Sequence, residues 1–149
     1  MDPAETLSVL KKIEDIAMLA GIRGRVNEER MHFECGFNLP ENRSQMVFVR
    51  VAGKTMTGGT VVSIFSPCHV VSTGFLKGLS KQSALDLLKR NEQVMFARYG
   101  VWSLEGNDMV VASADRLVDA MDHTDFHSLV WYTAIAADAF EKSQGADKF

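Results

Sequence analysis

The first twenty residues carry the spacing of an amphipathic helix. Apolar side chains recur every three or four residues from Leu7 to Ala17, which places them on one helical face. Asp2, Pro3 and Glu5 form a helix start, because the aspartate caps, the proline suits the first helical position and the glutamate completes a capping box. The pattern therefore predicts a helix over residues 3–20.

Three segments after this helix have the composition and alternation of β-strands. In residues 31–37 every second side chain is apolar, so one face of this strand should be buried. Residues 45–52 and 60–66 are rich in β-branched and aromatic side chains, and the glycine-containing segment 53–59 supplies the turn between them. We expect three consecutive strands.

The second half of the chain adds a short helix, two strands and a long helix. Ser80 can cap a helix that ends near Asn91. Residues 94–102 and 108–113 flank a hairpin turn, and residues 123–142 repeat the helical spacing. The predicted order is helix, three strands, helix, two strands, helix. The fold class is therefore α+β, an antiparallel sheet with flanking helices in one domain of residues 1–149.

Composition and charge limit the partners and the cellular compartment expected for this domain. Of 149 residues, 46% are hydrophobic and 23% charged, so the chain can bury a core and is unlike a disordered one. The formal net charge of −3 disfavours nucleic acid and membrane surfaces as partners. With no apolar run near the ~20 residues of a membrane span, we expect a cytoplasmic protein. In the cytoplasm we expect Cys35 and Cys68 to be reduced thiols, and a disulfide between them is the alternative.

The element order resembles that of class I type III secretion chaperones and YbjN-domain proteins. Three stretches favour the YbjN side: Asn42-Arg43-Ser44-Gln45 before MVFVRV, the strand VVSIFSP, and Leu87-Leu88-Lys89-Arg90-Asn91 before the strand Phe96 to Trp102. The resemblance implies a cytoplasmic homodimer without a cofactor. Secretion chaperones of that fold hold an extended client segment, and YbjN-domain proteins are assigned regulatory or chaperone-like roles. The resemblance transfers no functional residue to a position in this chain.

The second face of the predicted sheet has an unusual composition. If strand one buries Met31, Phe33, Cys35 and Phe37, alternation adds Val47, Val49, Val51, Val62, Ile64, Ala97, Tyr99 and Val101 to the core. The opposite face then carries Met46, Phe48, Arg50, Phe65, Phe96, Arg98 and Trp102. Aromatic side chains mixed with arginine are typical of interface centres, which makes this face a candidate protein-binding surface. The alternative is that the C-terminal helix covers it internally.

The short middle helix is a candidate dimer interface. Leu85, Leu87 and Leu88 make an apolar arc too wide for one buried stripe. One edge of that arc could face a second copy of the chain.

Sequence motifs for catalysis or metal binding are incomplete. His123 and His127 are spaced like two helix-borne metal ligands, but the glutamate of a zincin motif is replaced by Thr124. Cys68 and His69 are adjacent in an extended stretch, so their side chains should point apart. Arginines interleaved with aromatic residues are also found in single-strand nucleic-acid binders, which the acidic balance disfavours. We predict no catalytic residue, no metal and no cofactor.

The sequence therefore favours a non-enzymatic module that binds a protein client or regulatory partner through an apolar and aromatic surface. The alternative is a small-molecule-binding domain or an enzyme with a non-local site drawn from His32, Cys68, His69 and Asp108. A homodimer that binds no client is a third reading. A convergent polar pocket would favour the alternative, and a broad apolar strip with no deep pocket would favour protein binding.

Overall fold

The computed structural model describes residues 1–71 and 79–144. Within these ranges the chain forms three α-helices and six β-strands. The helices are α1 (Pro3–Leu19), α2 (Lys81–Arg90) and α3 (His123–Ser143). The strands are β1 (Gly24–Asn27), β2 (His32–Leu39), β3 (Arg43–Lys54), β4 (Thr60–Val70), β5 (Arg98–Leu104) and β6 (Asn107–Leu117). Single 3₁₀ turns follow β2 and β6, at Pro40–Asn42 and Val118–Ala120.

Each helix begins where a side chain satisfies backbone N–H groups of its first turn. The Asp2 carboxylate accepts from the Glu5 N–H at 2.9 Å, and the Ser80 hydroxyl accepts from the Ser83 N–H at 3.0 Å. The Asp122 carboxylate accepts from two N–H groups of α3, at 2.9 and 2.8 Å. These caps fix the entry points of the helices, as the sequence pattern indicates.

All neighbouring strands are antiparallel, in the order β1-β2-β3-β4-β6-β5, which confirms the α+β class. The sequence predicted three strands before the second helix, but the structure has four. The additional strand is β1, which pairs with β2. A Cβ atom on Gly24 would lie 2.2 Å from the Phe33 ring. Only glycine at the start of β1 lets that ring pack against the strand.

Both long helices pack on the same face of the sheet. Leu10 and Ile13 of α1 and Phe126 and Leu129 of α3 are fully buried in one core cluster. The sheet contributes alternate residues to this face. Those that alternation predicted and that are buried are Phe33, Cys35, Phe37, Val47, Val49, Val62, Ile64, Ala97 and Tyr99. Within the described residues the chain therefore has two layers, with the helices on one side of the sheet. The other side, which no described helix covers, is called the open sheet face.

Three residues assigned to this core by alternation depart from it. Met31 lies before β2 with a positive φ of 52° and is half-buried, so it does not continue the strand's pleat. Val51 is half-buried against the core. Val101 is 48% exposed, because β5 is the edge strand of the sheet.

The open sheet face is concave. Arg50 of β3 and Trp102 of β5 lie on strands that are three strand spacings apart. Through the strand pairing, Arg50 is level with Asp115 of β6 and Trp102 is level with Met109, six residues further along that strand. On a flat sheet this offset would separate their Cα atoms by about 25 Å. The Arg50 guanidinium carbon nevertheless lies 4.3 Å from the centre of the Trp102 ring. Diagonal corners of the sheet therefore curl towards each other.

Two bulges contribute to this curvature. The register shifts between Val51 and Gly53 in the β3–β4 pair, and between Pro67 and His69 in the β4–β6 pair. Bulges bend a strand and increase its twist. The second bulge also explains why β4 continues to Val70, although the sequence predicted a strand that ends at residue 66. Proline is tolerated in a strand at a bulge, so Pro67 does not end this one.

Each edge strand has a side chain bound to its backbone. The Val26 N–H of β1 donates to Glu14 Oε1 at 3.2 Å. At the other edge, the Tyr99 N–H donates to Asn91 Oδ1 at 2.7 Å, and Asn91 Nδ2 donates to the Tyr99 carbonyl at 3.3 Å. These contacts occupy backbone groups that an added strand would need.

None of the helices within residues 1–71 and 79–144 is long and apolar enough to cross a bilayer. The single-domain organisation stays a prediction.

Candidate functional site

The open sheet face carries most of the side chains that alternation placed there. Met46, Phe48 and Arg50 are half-buried on β3, Phe65 is on β4, and Trp102 is on β5. Because α1 and α3 both pack on the other face, the reading in which the C-terminal helix covers this one is wrong. Curvature of the sheet brings these five side chains into one cluster.

Aromatic rings form a continuous row across the concave face. The His32 and Phe48 ring centres lie 5.0 Å apart, those of Phe48 and Phe65 lie 5.6 Å apart, and those of Phe65 and Trp102 lie 5.0 Å apart. These spacings fall within the range of favourable aromatic pairs. Phe65, at the centre of the row, is only 7% exposed although no helix within the described residues covers it.

Arg50 lies over two rings of this row. Its guanidinium carbon is 4.3 Å from the Trp102 ring centre and 5.4 Å from that of Phe65. Both distances are within the range of cation–π attraction. Cation–π contacts use none of the guanidinium's hydrogen-bond donors, so its N–H groups can also donate to other partners.

The concave face encloses a pocket of about 880 Å³, which we call the trough. The residues that line it include Met31, His32, Met46, Phe48, Arg50, Phe65, Pro67, Leu104 and Met109, together with Met1 and Thr6 at the start of the chain. The turns of two hairpins meet at the rim, where Arg30 Nη1 lies 3.0 Å from Glu105 Oε1. The trough is thus closed at one side by an ion pair between the β1–β2 and β5–β6 turns.

The Glu34 carboxylate lies beside the row of rings, between His32 and Arg25. His32 Nε2 lies 3.1 Å from Glu34 Oε2, and Arg25 Nε donates to Glu34 Oε1 at 2.7 Å. The hydrogen bond from Arg25 is the main reason that the pKa of Glu34 lies below its usual range, with a smaller contribution from His32. Glu34 therefore stays ionised and holds His32 against Phe48.

Two residues assigned to this face behave differently. The placement of Phe96 there is wrong: it precedes β5 with a positive φ of 64°, and its ring lies 5.2 Å from that of Tyr132 on α3. Arg98 pairs with Ser113 in register with the face, but its Nη1 donates to the carbonyls of Val94 and Ala97. Neither residue joins the aromatic row.

The leucines of α2 divide between the interior and the surface. Leu87 is 5% exposed and packs in a second core cluster with Tyr99 and Phe140, so it cannot centre a contact with another copy. Leu85 and Leu88 are 41% and 62% exposed. The dimer interface on α2 stays a prediction for these two residues.

The candidate chemical groups do not converge. Cys68 and Cys35 are free and buried, and burial raises the pKa of each thiol to about 12, so neither is an activated nucleophile. His69 lies by the Phe140 ring and Asp108 bonds to Ser103, whereas His32 lies on the opposite face of the sheet.

Histidines of the HTDFH segment lie at the start of α3, and both are exposed. Across residues 1–71 and 79–144, no three His, Cys, Asp or Glu side chains come together as a metal site. Absence of a metal stays a prediction.

Several residues in or beside the trough were not assigned to this face from the sequence. His32 and Glu34 follow from alternation in β2, because Glu34 pairs with Phe48 across the strands. Met109, Arg30 and Glu105 depend on the curvature of the sheet, for which the sequence holds no simple signal.

No protein-family model matches the chain, and no match to it was found among curated proteins. Membership of the YbjN-domain or secretion-chaperone family therefore stays a prediction that rests on the stretches quoted above.

Proposed function

We propose that the protein is a non-enzymatic protein-binding module, chaperone-like or regulatory, that holds a segment of another protein in the trough. The observation that carries this proposal is the stack of Arg50 on Trp102 and Phe65 at the centre of a concave, largely apolar surface. Arginine, tryptophan and other aromatic side chains are enriched at the centres of protein interfaces.

The methionines of the trough support a protein client. Met31, Met46 and Met109 line it, and methionine is unbranched and polarisable, so it adapts to apolar side chains of different shapes. Adaptable, methionine-rich surfaces suit partners of variable sequence. The edge strands are less suited to a client, since Glu14 and Asn91 already bind their backbone groups.

We also propose a cytoplasmic homodimer. The exposed Leu85 and Leu88 side chains of α2 support association between copies, and the resemblance to the secretion chaperones supports the location. Sedimentation equilibrium at tens of micromolar, compared with a Leu85→Lys/Leu88→Lys double variant, tests the dimer. A wild-type monomer at that concentration would contradict it.

A small-molecule-binding domain is the second candidate function. The volume of the trough, about 880 Å³, falls within the range of small-molecule sites, roughly 300–1,000 Å³. Native mass spectrometry of protein purified from its host distinguishes the two functions. One constant bound mass favours a small molecule, whereas its absence together with the cross-links described next favours a protein client.

Site-specific photo-cross-linking in the native host tests the protein-binding function. Phe48 or Met46 is replaced by p-benzoylphenylalanine, and Met18 is the control, because it is 69% exposed at the end of α1 and outside the trough. We expect both trough positions to cross-link to the same partner segment and the control to miss it. Cross-links that do not differ between the trough and Met18 would overturn the proposal.

A further inference from the structure

We infer that the segment held in the trough presents a carboxylate to Arg50, beside an apolar side chain that packs on the trough's methionines. This inference rests on the proposed function and names the chemistry of the partner. The carboxylate comes from an aspartate, a glutamate or a chain end of the partner.

The first argument is that Arg50 differs from the other cations beside the trough. Arg25 is paired with Glu34 and Arg30 with Glu105, at 2.7 and 3.0 Å. Within residues 1–71 and 79–144, no carboxylate forms an ion pair with Arg50. Among the described residues, therefore, no ion pair neutralises the charge of this guanidinium, which makes it a candidate contact for a partner's carboxylate.

The second argument is geometric. Arginine packs on aromatic rings through the faces of its guanidinium. With the Trp102 and Phe65 ring centres 4.3 and 5.4 Å from the Arg50 guanidinium carbon, a partner's contacts are left to its N–H edge. That edge carries parallel donors whose spacing matches the two oxygens of a carboxylate. Aromatic neighbours and half-burial exclude part of the water, which strengthens such a charge-assisted bond.

The third argument concerns the rest of the occupant. Arg50 shares the lining of the trough with apolar side chains, which include Met46, Met109 and Pro67. A bare anion would leave this surface uncovered, whereas an acidic residue next to an apolar one satisfies both parts. Phosphate backbones offer little apolar surface, and the net charge of −3 repels them at long range.

Selection from a displayed library of random 12-residue peptides provides the probe. The strongest binders are synthesised, and each acidic residue is replaced in turn by its amide. We expect enrichment of acidic residues flanked by apolar ones. One acid-to-amide replacement should weaken binding to the wild-type protein at least about tenfold, as loss of a close interfacial charge pair does.

A double-mutant cycle assigns that loss to Arg50. The same peptide pair should bind Arg50→Gln with nearly equal affinity, and Arg50→Lys, which keeps the charge and loses the planar stack, should retain part of the discrimination. Arg23→Gln is the control, since Arg23 is exposed, lies outside the trough and loses the same charge. Circular dichroism confirms that each variant is folded.

The outcomes separate this inference from the proposed function. Peptides whose binding is lost in Phe48→Asp but is insensitive to the acid-to-amide change would overturn the carboxylate and leave the protein-binding function standing. Failure of every selected peptide to depend on Phe48 would overturn both. Decanoate that binds more tightly than any peptide, and only with Arg50 present, would replace the protein segment by a small amphipathic acid.

Discussion

Removal of Arg43 should destabilise the protein far more than removal of a neighbouring exposed lysine. Arg43 begins β3, where its guanidinium is 14% exposed and lies between Asp138 and Glu141 of α3. Glu141 is fully buried, and its Oε2 lies 3.7 Å from Arg43 Nη2. The substitution Arg43→Met keeps most of the side-chain volume and removes the positive charge.

The expected magnitude follows from the burial of Glu141. A carboxylate that loses its cation inside a protein costs about 3–5 kcal/mol. This loss would be a large fraction of the ~5–15 kcal/mol that keeps a typical domain folded. For a chain of this length it corresponds to a fall in Tm of about 6–20 °C.

Lys142 provides a matched control in the same part of α3. Its Nζ lies 2.7 Å from Glu41 Oε2, but both side chains are more than half exposed. Water replaces the lost partner at such a site, so Lys142→Met should leave stability nearly unchanged. Comparison of Arg43→Met with Lys142→Met separates the effect of burial on stability from the effect of having opposite charges close together.

Urea unfolding followed by circular dichroism measures these differences. The double variant Arg43→Met/Glu141→Met should recover much of the stability lost in Arg43→Met, because it removes the buried carboxylate as well. A loss of less than about 1 kcal/mol in Arg43→Met, or a double variant no more stable than the single one, would refute this reasoning.

Three further predictions concern thiols, acid stability and the trough. Cys35 and Cys68, whose thiol pKa values are raised to about 12 by burial, should react with iodoacetamide at pH 8 only after denaturation; rapid labelling of the folded protein would contradict this. Arg25 holds the pKa of Glu34 low, and the resulting stabilisation is present at neutral pH and lost as pH falls through that pKa. Arg25→Gln should thus be less stable than wild type at pH 7, with a difference that shrinks as pH falls through the pKa of Glu34, whereas a pH-independent difference in urea unfolding would count against it. Phe48→Asp should cost only about 1–2 kcal/mol, since Phe48 is half-buried; a loss of several kcal/mol in the same assay would mean that the side chain is internal.

Much of the fold could be predicted from the sequence because its signals are local. Helix caps at Asp2 and Ser80, and alternation in β2 and in the middle of β3, depend on neighbours within a few residues. The short strand β1 was missed because Gly24–Asn27 carries one apolar β-former, Val26, and exists through its pairing with β2. Alternation also placed Phe96 on the wrong face, because a residue with positive φ breaks the two-residue period.

The sequence predicted most of the residues on the candidate face, but it did not predict how they are arranged in space. Alternation placed Arg50 and Trp102 on the same face of the sheet, but their contact depends on a twist that accumulates over four strands and two bulges. The ion pair between Arg30 and Glu105 has the same origin, since these residues lie 75 positions apart at the two ends of the curled sheet. Such contacts depend on the whole sheet, so no short window of sequence encodes them.

The strand order has a consequence for the kinetics of folding. Strands β1 to β4 can assemble as a local meander and β5–β6 as a local hairpin, but β4 joins β6 through pairs such as Ser63 and Asp115, 52 positions apart. Closing so long a loop is slow, so docking of the hairpin should be a late step. The trough straddles this seam, with Arg50 on the meander and Met109 on the hairpin. A segment held in the trough, as proposed above, would therefore bind the docked state and shift the opening equilibrium towards it by mass action.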